Sequence, residues 1–237
     1  MAKRVWDPAV PANQLLARLP REEFERLFPV RRPVSYKLKD VLFDVGASLE
    51  YAYFPNTGVI SQITIMEDGE PIELWTVGNE GMVGLPIALG IIQSASRALV
   101  QVPSSGLRLA ASKLVDEMNR DTPMRTLILR YAALSLSQVS QAVACNGLHS
   151  VRRRCCRWLL MTHDRVEGDE FPMTHEFLAQ MLGVRRASVT TVLTPLQKAG
   201  LIRSRRGKIA VVDRERLEQS SCECYRTVQR EYIRLLG

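Results

Sequence analysis

No cysteine precedes Cys145 and no histidine precedes His149 in this chain of 237 residues, which holds five cysteines and three histidines. The strand-rich segment described below therefore lacks the clustered histidines of a roll-type metalloenzyme site. A phosphate-cradling glycine loop is also missing, as is any convincing Ser/His/Asp or Cys/His catalytic set, so an enzyme is not expected. Long apolar runs are absent too. The longest, Met82 to Ile92, is broken by glycine and proline and falls far short of the ~20 residues a membrane span needs. Trp6, Asp7, Pro8 and Pro11 stand where a secretory leader requires an apolar core, so no membrane partner is expected. An odd number of cysteines fits free thiols in a reducing cytoplasm. The adjacent Cys155-Cys156 and the short pair in Cys222-Glu223-Cys224 lack a four-ligand pattern. They are read as core or surface thiols, and neither a metal nor an iron–sulphur cluster is expected.

What is present begins with charge. The formal net charge is +7. Residues 1–150 hold 15 Lys/Arg against 15 Asp/Glu, whereas residues 151–237 hold 17 against 10, so the entire excess lies in the second part. A basic C-terminal part suits a polyanion, although a solubilising basic surface has the same composition. The pattern of residues has to decide between them.

Along the chain, Leu15, Leu16, Leu19, Phe24, Leu27 and Phe28 give two short helical turns around Pro20. From Val34 to about Leu109 the texture changes to short strand-like runs: Val41-Leu42-Phe43, Tyr51 to Phe54, Val59-Ile60, Ile63 to Ile65 and Ile72 to Trp75. Turn residues separate them, and Asp68-Gly69 marks a hairpin. The expectation is an antiparallel roll of about eight strands. Ser112 is a plausible cap for a short helix to Met118. Asp121-Thr122-Pro123 then opens a longer helix that Asn146-Gly147 ends. Leu127, Tyr131, Leu134, Gln138, Gln141 and Cys145 form one strip on that helix, with Leu136, Val139 and Val143 beside it. Two strips allow packing on the roll and on a second copy; one broad core face fits the periodicity equally well. Another helix is expected from Ser150 to about Thr162.

The stretch from Phe171 to Val212 carries the clearest signal. Thr174 caps a first short helix, Gly183 permits a left-handed turn, and a second helix runs from about Arg185 to Lys198. At ~100° per residue, Val189, Val192, Leu193 and Leu196 share the buried arc. Ala187, Thr190, Thr191 and Thr194 lie opposite, flanked by Arg186 and Ser188. Pro195 is expected to kink this helix near Thr191 or to end its exposed part early. Leu201 to Val212 reads as a two-stranded basic wing with Arg206-Gly207 at its tip, followed by a final helix capped by Asp213. This is the layout of a winged helix-turn-helix, whose second helix enters a DNA major groove. Arg186 is the expected base reader, because a guanidinium can donate twice to guanine. The candidate DNA-binding set is Thr174, His175, Arg185, Arg186, Ser188, Thr190, Thr191, Arg205, Arg206 and Lys208.

A roll, a long helix and this winged helix-turn-helix, in that order, resemble the Crp/Fnr family of bacterial transcription regulators. The resemblance rests on Thr174 to Leu193, on Lys198 to Ile202, and on the glycine framework Gly78-Asn79-Glu80-Gly81-Met82-Val83-Gly84. It implies an α+β chain with an N-terminal antiparallel β-roll (a double-stranded β-helix or jelly roll), a long connecting dimerisation helix and a C-terminal winged helix-turn-helix. The corresponding divisions are a sensor over 1–120, a dimerisation helix over 121–149 and a DNA-binding domain over 150–237.

The resemblance also implies a homodimer on a two-fold double-stranded DNA site, with RNA polymerase as a further partner. The candidate effector region is Gly78, Glu80, Gly84, Leu85, Gln93 and Arg97. Cyclic-nucleotide sensors of the family place a Glu and an Arg where this chain has Leu85 and Gln93, with Arg97 a substitute if the register slips. A buried phosphate without a cation is costly, so cyclic AMP bound in the usual way is not expected and the small-molecule effector stays unassigned. The family's oxygen sensors use an N-terminal cysteine cluster that is missing here. The expected function is sequence-specific regulation of transcription. The competing reading is a metabolite- or protein-binding roll whose DNA binding is weak or incidental.

Overall fold

The computed structural model describes residues 11–30 and 32–237. The leader argument from Trp6, Asp7 and Pro8 lies outside the described residues. A turn of tight helix at Leu16–Arg18 is followed by α1 (Arg21–Leu27), β1 (Val34–Tyr36), β2 (Val41–Phe43), β3 (Tyr51–Ile65) and β4 (Pro71–Val77). Next come α2 (Leu85–Ala88), β5 (Arg97–Ala110), α3 (Ala111–Met118), α4 (Pro123–Leu148) and α5 (Val151–His163). The chain finishes with β6 (Glu170–Pro172), α6 (His175–Leu182), α7 (Arg186–Lys198), β7 (Ile202–Arg205), β8 (Lys208–Val211), α8 (Arg214–Gln219) and α9 (Cys224–Leu236). The architecture is α+β. An N-terminal antiparallel sheet leads into a long helix and then a helix-turn-helix with a small sheet. None of the described helices is long and apolar enough to cross a membrane.

The chain divides into two compact units. Val77–Ala133 joins the residues up to Ile60 in one, and Ser61–Thr76 joins Leu134–Leu235 in the other. The five described strands of the N-terminal sheet run β1-β5-β3-β4, with β2 also on β5. β1 pairs antiparallel with β5 in the register Val34↔Gly106.

Five strands replace the eight expected, because β3 and β5 run through residues that look like breaks. Pro55 to Gly58 stays in β3, and Pro103 to Gly106 stays in β5. The two segments satisfy each other: Ser104 Oγ donates to the Thr57 carbonyl at 2.7 Å, and Thr57 Oγ1 lies 3.2 Å from Ser105 Oγ. A Cβ on Gly58 would lie 2.3 Å from the Pro103 carbonyl oxygen, so glycine is needed for the close approach. Cross-strand fit thus outweighs local propensity. The Asp68-Gly69 hairpin forms as expected, with Met66 N–H on the Glu70 carbonyl at 3.0 Å.

The first unit's core gathers Leu15, Leu16, Phe24, Phe28, Phe54, Ile60, Met82, Leu114 and Ile128, all nearly inaccessible. Phe28 and Phe54 meet edge-on at 5.8 Å. Arg26 binds both Glu117 oxygens, at 2.5 and 2.7 Å, and ties α1 to α3. That guanidinium holds the Glu117 carboxyl below the usual carboxylate range.

Helix boundaries depart from the expectation in three places. α3 begins at Ala111, so Ser112 lies inside it and is not its cap. α4 opens at Pro123 as expected, with Thr122 Oγ1 accepting from Arg125 N–H at 3.2 Å. Asn146-Gly147 does not stop α4, which reaches Leu148. The expected final helix is two: Asp213 caps α8, and a break at residues 220–223 precedes α9.

Along α4, Leu127, Tyr131, Leu134, Gln138 and Cys145 are buried. Of the neighbouring strip, Leu136 is 71% and Val143 68% exposed while Val139 is half-buried; Leu129, seven residues before Leu136, is 43% exposed.

Candidate nucleic-acid interface

Local chemistry builds the helix-turn-helix inside the second unit. Thr174 Oγ1 accepts from Phe177 N–H at 3.1 Å, satisfying one of the free donors at the start of α6. Gly183 ends α6 at φ 61°, the left-handed conformation that lets α7 start shortly afterwards at Arg186. Leu178, Leu182, Val189, Leu193 and Leu196 form the buried seam of the two helices. Ser150 caps α5, whose Trp158, Leu159 and Leu160 are also buried.

α7 continues through Pro195 to Lys198, so the early end expected from that proline does not occur. The neighbouring threonines hold the solvent face together. The hydroxyls of Thr190, Thr191 and Thr194 donate to the carbonyls of Arg186, Ala187 and Thr190 at 3.3, 3.0 and 2.9 Å. In this arrangement Thr191 and Thr194 have spent their protons and face outward as acceptors or through their methyls, while the Thr190 oxygen also lies 3.1 Å from His175 Nδ1. That chemistry suits adenine N6, cytosine N4 or a thymine methyl better than a phosphate oxygen.

Arg186 is exposed at the start of α7, and its Nε lies 3.9 Å from Glu176 Oε2. An ion pair this long and this exposed contributes little, so the guanidinium can leave it for a base edge. Arg185 precedes α7 and its carbonyl accepts from Ser188 N–H at 2.9 Å, in the first turn of the helix.

His175 has a role that spacing could not show. Its Nδ1 lies 3.1 Å from Thr190 Oγ1 and its Nε2 3.4 Å from Ser204 Oγ, so it links α6 to both α7 and β7. Gln197 Oε1 adds a second link by accepting from Ser204 N–H at 2.7 Å. Neither Gln197 nor Ser204 stood out in the sequence.

The two-stranded wing forms as expected, Ile202 pairing with Val211, and Glu170–Pro172 adds a third strand along β8 in the order β6-β8-β7. Arg206 and Gly207 both have positive φ, 50° and 75°, giving the tight two-residue turn whose twist matches its strands. Arg205 and Arg206 are exposed at this tip. Lys208 is half-committed: its Nζ lies 2.9 Å from Glu170 Oε1 and holds that carboxyl below its ordinary range. Between α7 and the wing lies a cleft of about 590 Å³ lined in part by Thr174, His175, Arg186, Thr194, Arg205 and Arg206.

This geometry agrees with the comparison to known families. Residues 153–220 match the Crp-like helix-turn-helix domain. The chain carries a Crp-like helix-turn-helix domain. A search of the curated proteins finds no match. Among solved structures, FixK2 from Bradyrhizobium japonicum is 18% identical at TM-score 0.68, over 81% of this chain and 97% of that one. TTHB099, a transcriptional regulator of the CRP family from Thermus thermophilus, is 21% identical at TM-score 0.68, over 79% and 96%. TTHA1359, a CRP/FNR-family transcriptional regulator from the same organism, is 21% identical at TM-score 0.65, over 80% and 98%. The chain thus shares its fold with these regulators beyond the Crp-like domain itself.

The candidate effector residues all belong to the first unit. Glu80 Oε1 accepts from Gly78 N–H at 3.1 Å, and Gly84 precedes α2, which begins at Leu85. Gln93 is exposed beside Ser48. Arg97 is paired with Asp44 through two contacts of 2.9 and 2.7 Å.

The expectation that no metal would be held is corrected by the second unit. The ligand atoms of Cys145, His149, Cys222 and Cys224 all lie within 4.8 Å of one another. The sequence reading took Cys222-Glu223-Cys224 without Cys145 and His149, whose four-residue spacing puts them on one helix face. That helical Cys-x-x-x-His beside a Cys-x-Cys was the available signal.

Proposed function

We propose that this chain is a sequence-specific DNA-binding regulator of transcription of the Crp/Fnr type, acting in the cytoplasm as a homodimer on a two-fold DNA site. The observation that carries the reading is the exposed face of α7, with Arg186 at its start and acceptor threonines along it, beside a basic wing tip. Arg186, Thr190 and Thr191 read bases, assisted by Ser188. Arg185, Arg205, Arg206 and, more weakly, Lys208 meet phosphates, while Thr174 and His175 fix the helix that presents them.

The dimer reading rests on the open strip of α4. Leu129, Leu136 and Val143 recur every seven residues on one face, the spacing by which two helices pack along each other. The divisions 1–120, 121–149 and 150–237 follow as sensor, dimerisation helix and DNA-binding domain. The sensor responds to a small molecule that does not bind as cyclic AMP usually does, because Arg97 is already engaged by Asp44 and Gln93 brings no charge. RNA polymerase is the partner through which such a regulator acts.

Binding of the protein to a duplex recovered by selection from random sequences, titrated with salt, tests the proposal. Affinity should fall steeply and linearly with log salt and exceed that for random duplex by at least about a thousandfold. Equal affinity for both would favour the metabolite- or protein-binding reading of the roll.

A further inference from the structure

Cys145, His149, Cys222 and Cys224 lie outside residues 153–220 and bracket them from both sides, so the Crp-like domain match does not account for them. Cys145 is in the last turn of α4. His149 is one residue past its end, with its N–H still on the Cys145 carbonyl at 3.0 Å. Cys222 lies in the break between α8 and α9, and Cys224 is the first residue of α9. Cys145 Sγ is 3.5 Å from Cys222 Sγ, and Cys224 Sγ is 3.5 Å from His149 Nδ1. With zinc–sulfur bonds of about 2.3 Å, a tetrahedral site separates its sulfurs by about 3.8 Å. The four donors therefore already stand close to that spacing, around one centre.

The surroundings fit the same chemistry. Glu223 Oε1 lies 3.2 Å from His149 Nε2, which fixes the ring so that Nδ1 faces the sulfurs. Gln141, one turn before Cys145, donates from Nε2 to Cys224 Sγ at 3.0 Å. A carboxylate behind the histidine and an amide on a thiolate are the usual outer supports of a metal site. The three sulfurs are buried and His149 is 13% exposed in its side chain, so water is largely excluded. Three thiolates around a divalent ion carry one net negative charge. Arg157 of α5 is buried in the same unit, and its Nε has no hydrogen-bond partner among the described residues.

We propose that these four residues bind one zinc ion per chain in a closed Cys3His site that clips the α4–α5 joint to the start of α9. Four protein donors leave no open coordination position, so the ion is structural. Soft sulfur donors with one imidazole in a tetrahedral set select zinc over magnesium, calcium or manganese. Binding releases the three thiol protons to solvent and involves no change of oxidation state.

The test uses tag-free full-length protein purified under reducing conditions. Elemental analysis should find one zinc per chain. Replacement by cobalt(II) should give the visible bands of a tetrahedral ion and a thiolate-to-cobalt charge-transfer band, both erased by added zinc. Cys222→Ser should remove the charge-transfer intensity due to that sulfur. Glu223→Gln changes an exposed side chain and leaves the fold in place, so it remains informative if the cysteine variant fails to fold. It should weaken zinc binding by about 10- to 100-fold. Protein that holds no stoichiometric zinc, and that binds cobalt only with the weak spectrum of an octahedral ion, overturns the assignment. Stoichiometric iron in place of zinc does so as well.

Discussion

The indole nitrogen of Trp158 donates to one oxygen of Glu73 at 2.8 Å, while the Ser61 hydroxyl donates to the other at 2.9 Å. All three residues belong to the second unit, which takes Ser61–Thr76 of the β3–β4 hairpin together with the helix-turn-helix side of the chain. Removal from water pushes the Glu73 carboxyl up to about 7, although the two hydrogen bonds and the charges of Arg157 and Arg165 act the other way.

The sign of the pH effect follows. The folded chain holds the Glu73 proton more tightly than the unfolded chain, so its stabilising contribution is complete below the ordinary glutamate value and is lost as pH rises through about 7. Glu73→Gln mimics the protonated form. In denaturant titrations from about pH 4 to about pH 8 it should flatten the loss of stability, by at most about 3 kcal/mol. Parallel pH profiles for the two proteins would contradict this.

The wing arginines should act on affinity without touching preference. Arg205→Ala and Arg206→Asn, the latter tolerant of positive φ, should each reduce the slope of log affinity against log salt by about 1. Lys208→Ala should change it less, because Glu170 already neutralises that ammonium. Equal effects from all three would show that the ion pair opens at no cost when DNA binds.

Thr174→Ala removes the cap of α6 and should cost about 1 kcal/mol in thermal or chemical unfolding, whereas Thr174→Ser should recover most of it. A loss as large in the serine variant would mean that the methyl group, not the hydrogen bond, matters here.

Leu136 is 71% exposed on α4, so Leu136→Asp should leave the fold intact. It should nonetheless shift sedimentation from dimer to monomer and weaken binding to the two-fold site. A variant that remains dimeric would move the interface away from this strip.

How much of this was legible in the sequence varies with the distance over which residues cooperate. The helix-turn-helix could be read because a cap, a left-handed glycine and a buried arc are local patterns. Thr174, Gly183 and the seam from Val189 to Leu196 are found where those patterns place them. Strand number was misread because Pro55 to Gly58 is tolerated only against the matching segment of β5. The third wing strand needed β8 as its partner. The Cys/His group was missed for the same reason on a longer scale, since Cys145 and Cys222 are 77 residues apart. His175 was legible as a residue at a helix start, but its links to Thr190 and Ser204 depend on how α6, α7 and β7 converge.

The central claim is that α7 reads DNA and that Arg186 is its principal reader. A selection from random duplexes, run with wild-type protein and with Arg186→Ala, tests it directly. The wild type should enrich a two-fold symmetric site. The variant should lose preference at one base pair in each half-site, a discrimination of about 1–3 kcal/mol, while the rest of the site is kept. Failure of the wild type to enrich any sequence, or an unchanged site for Arg186→Ala, would contradict the account.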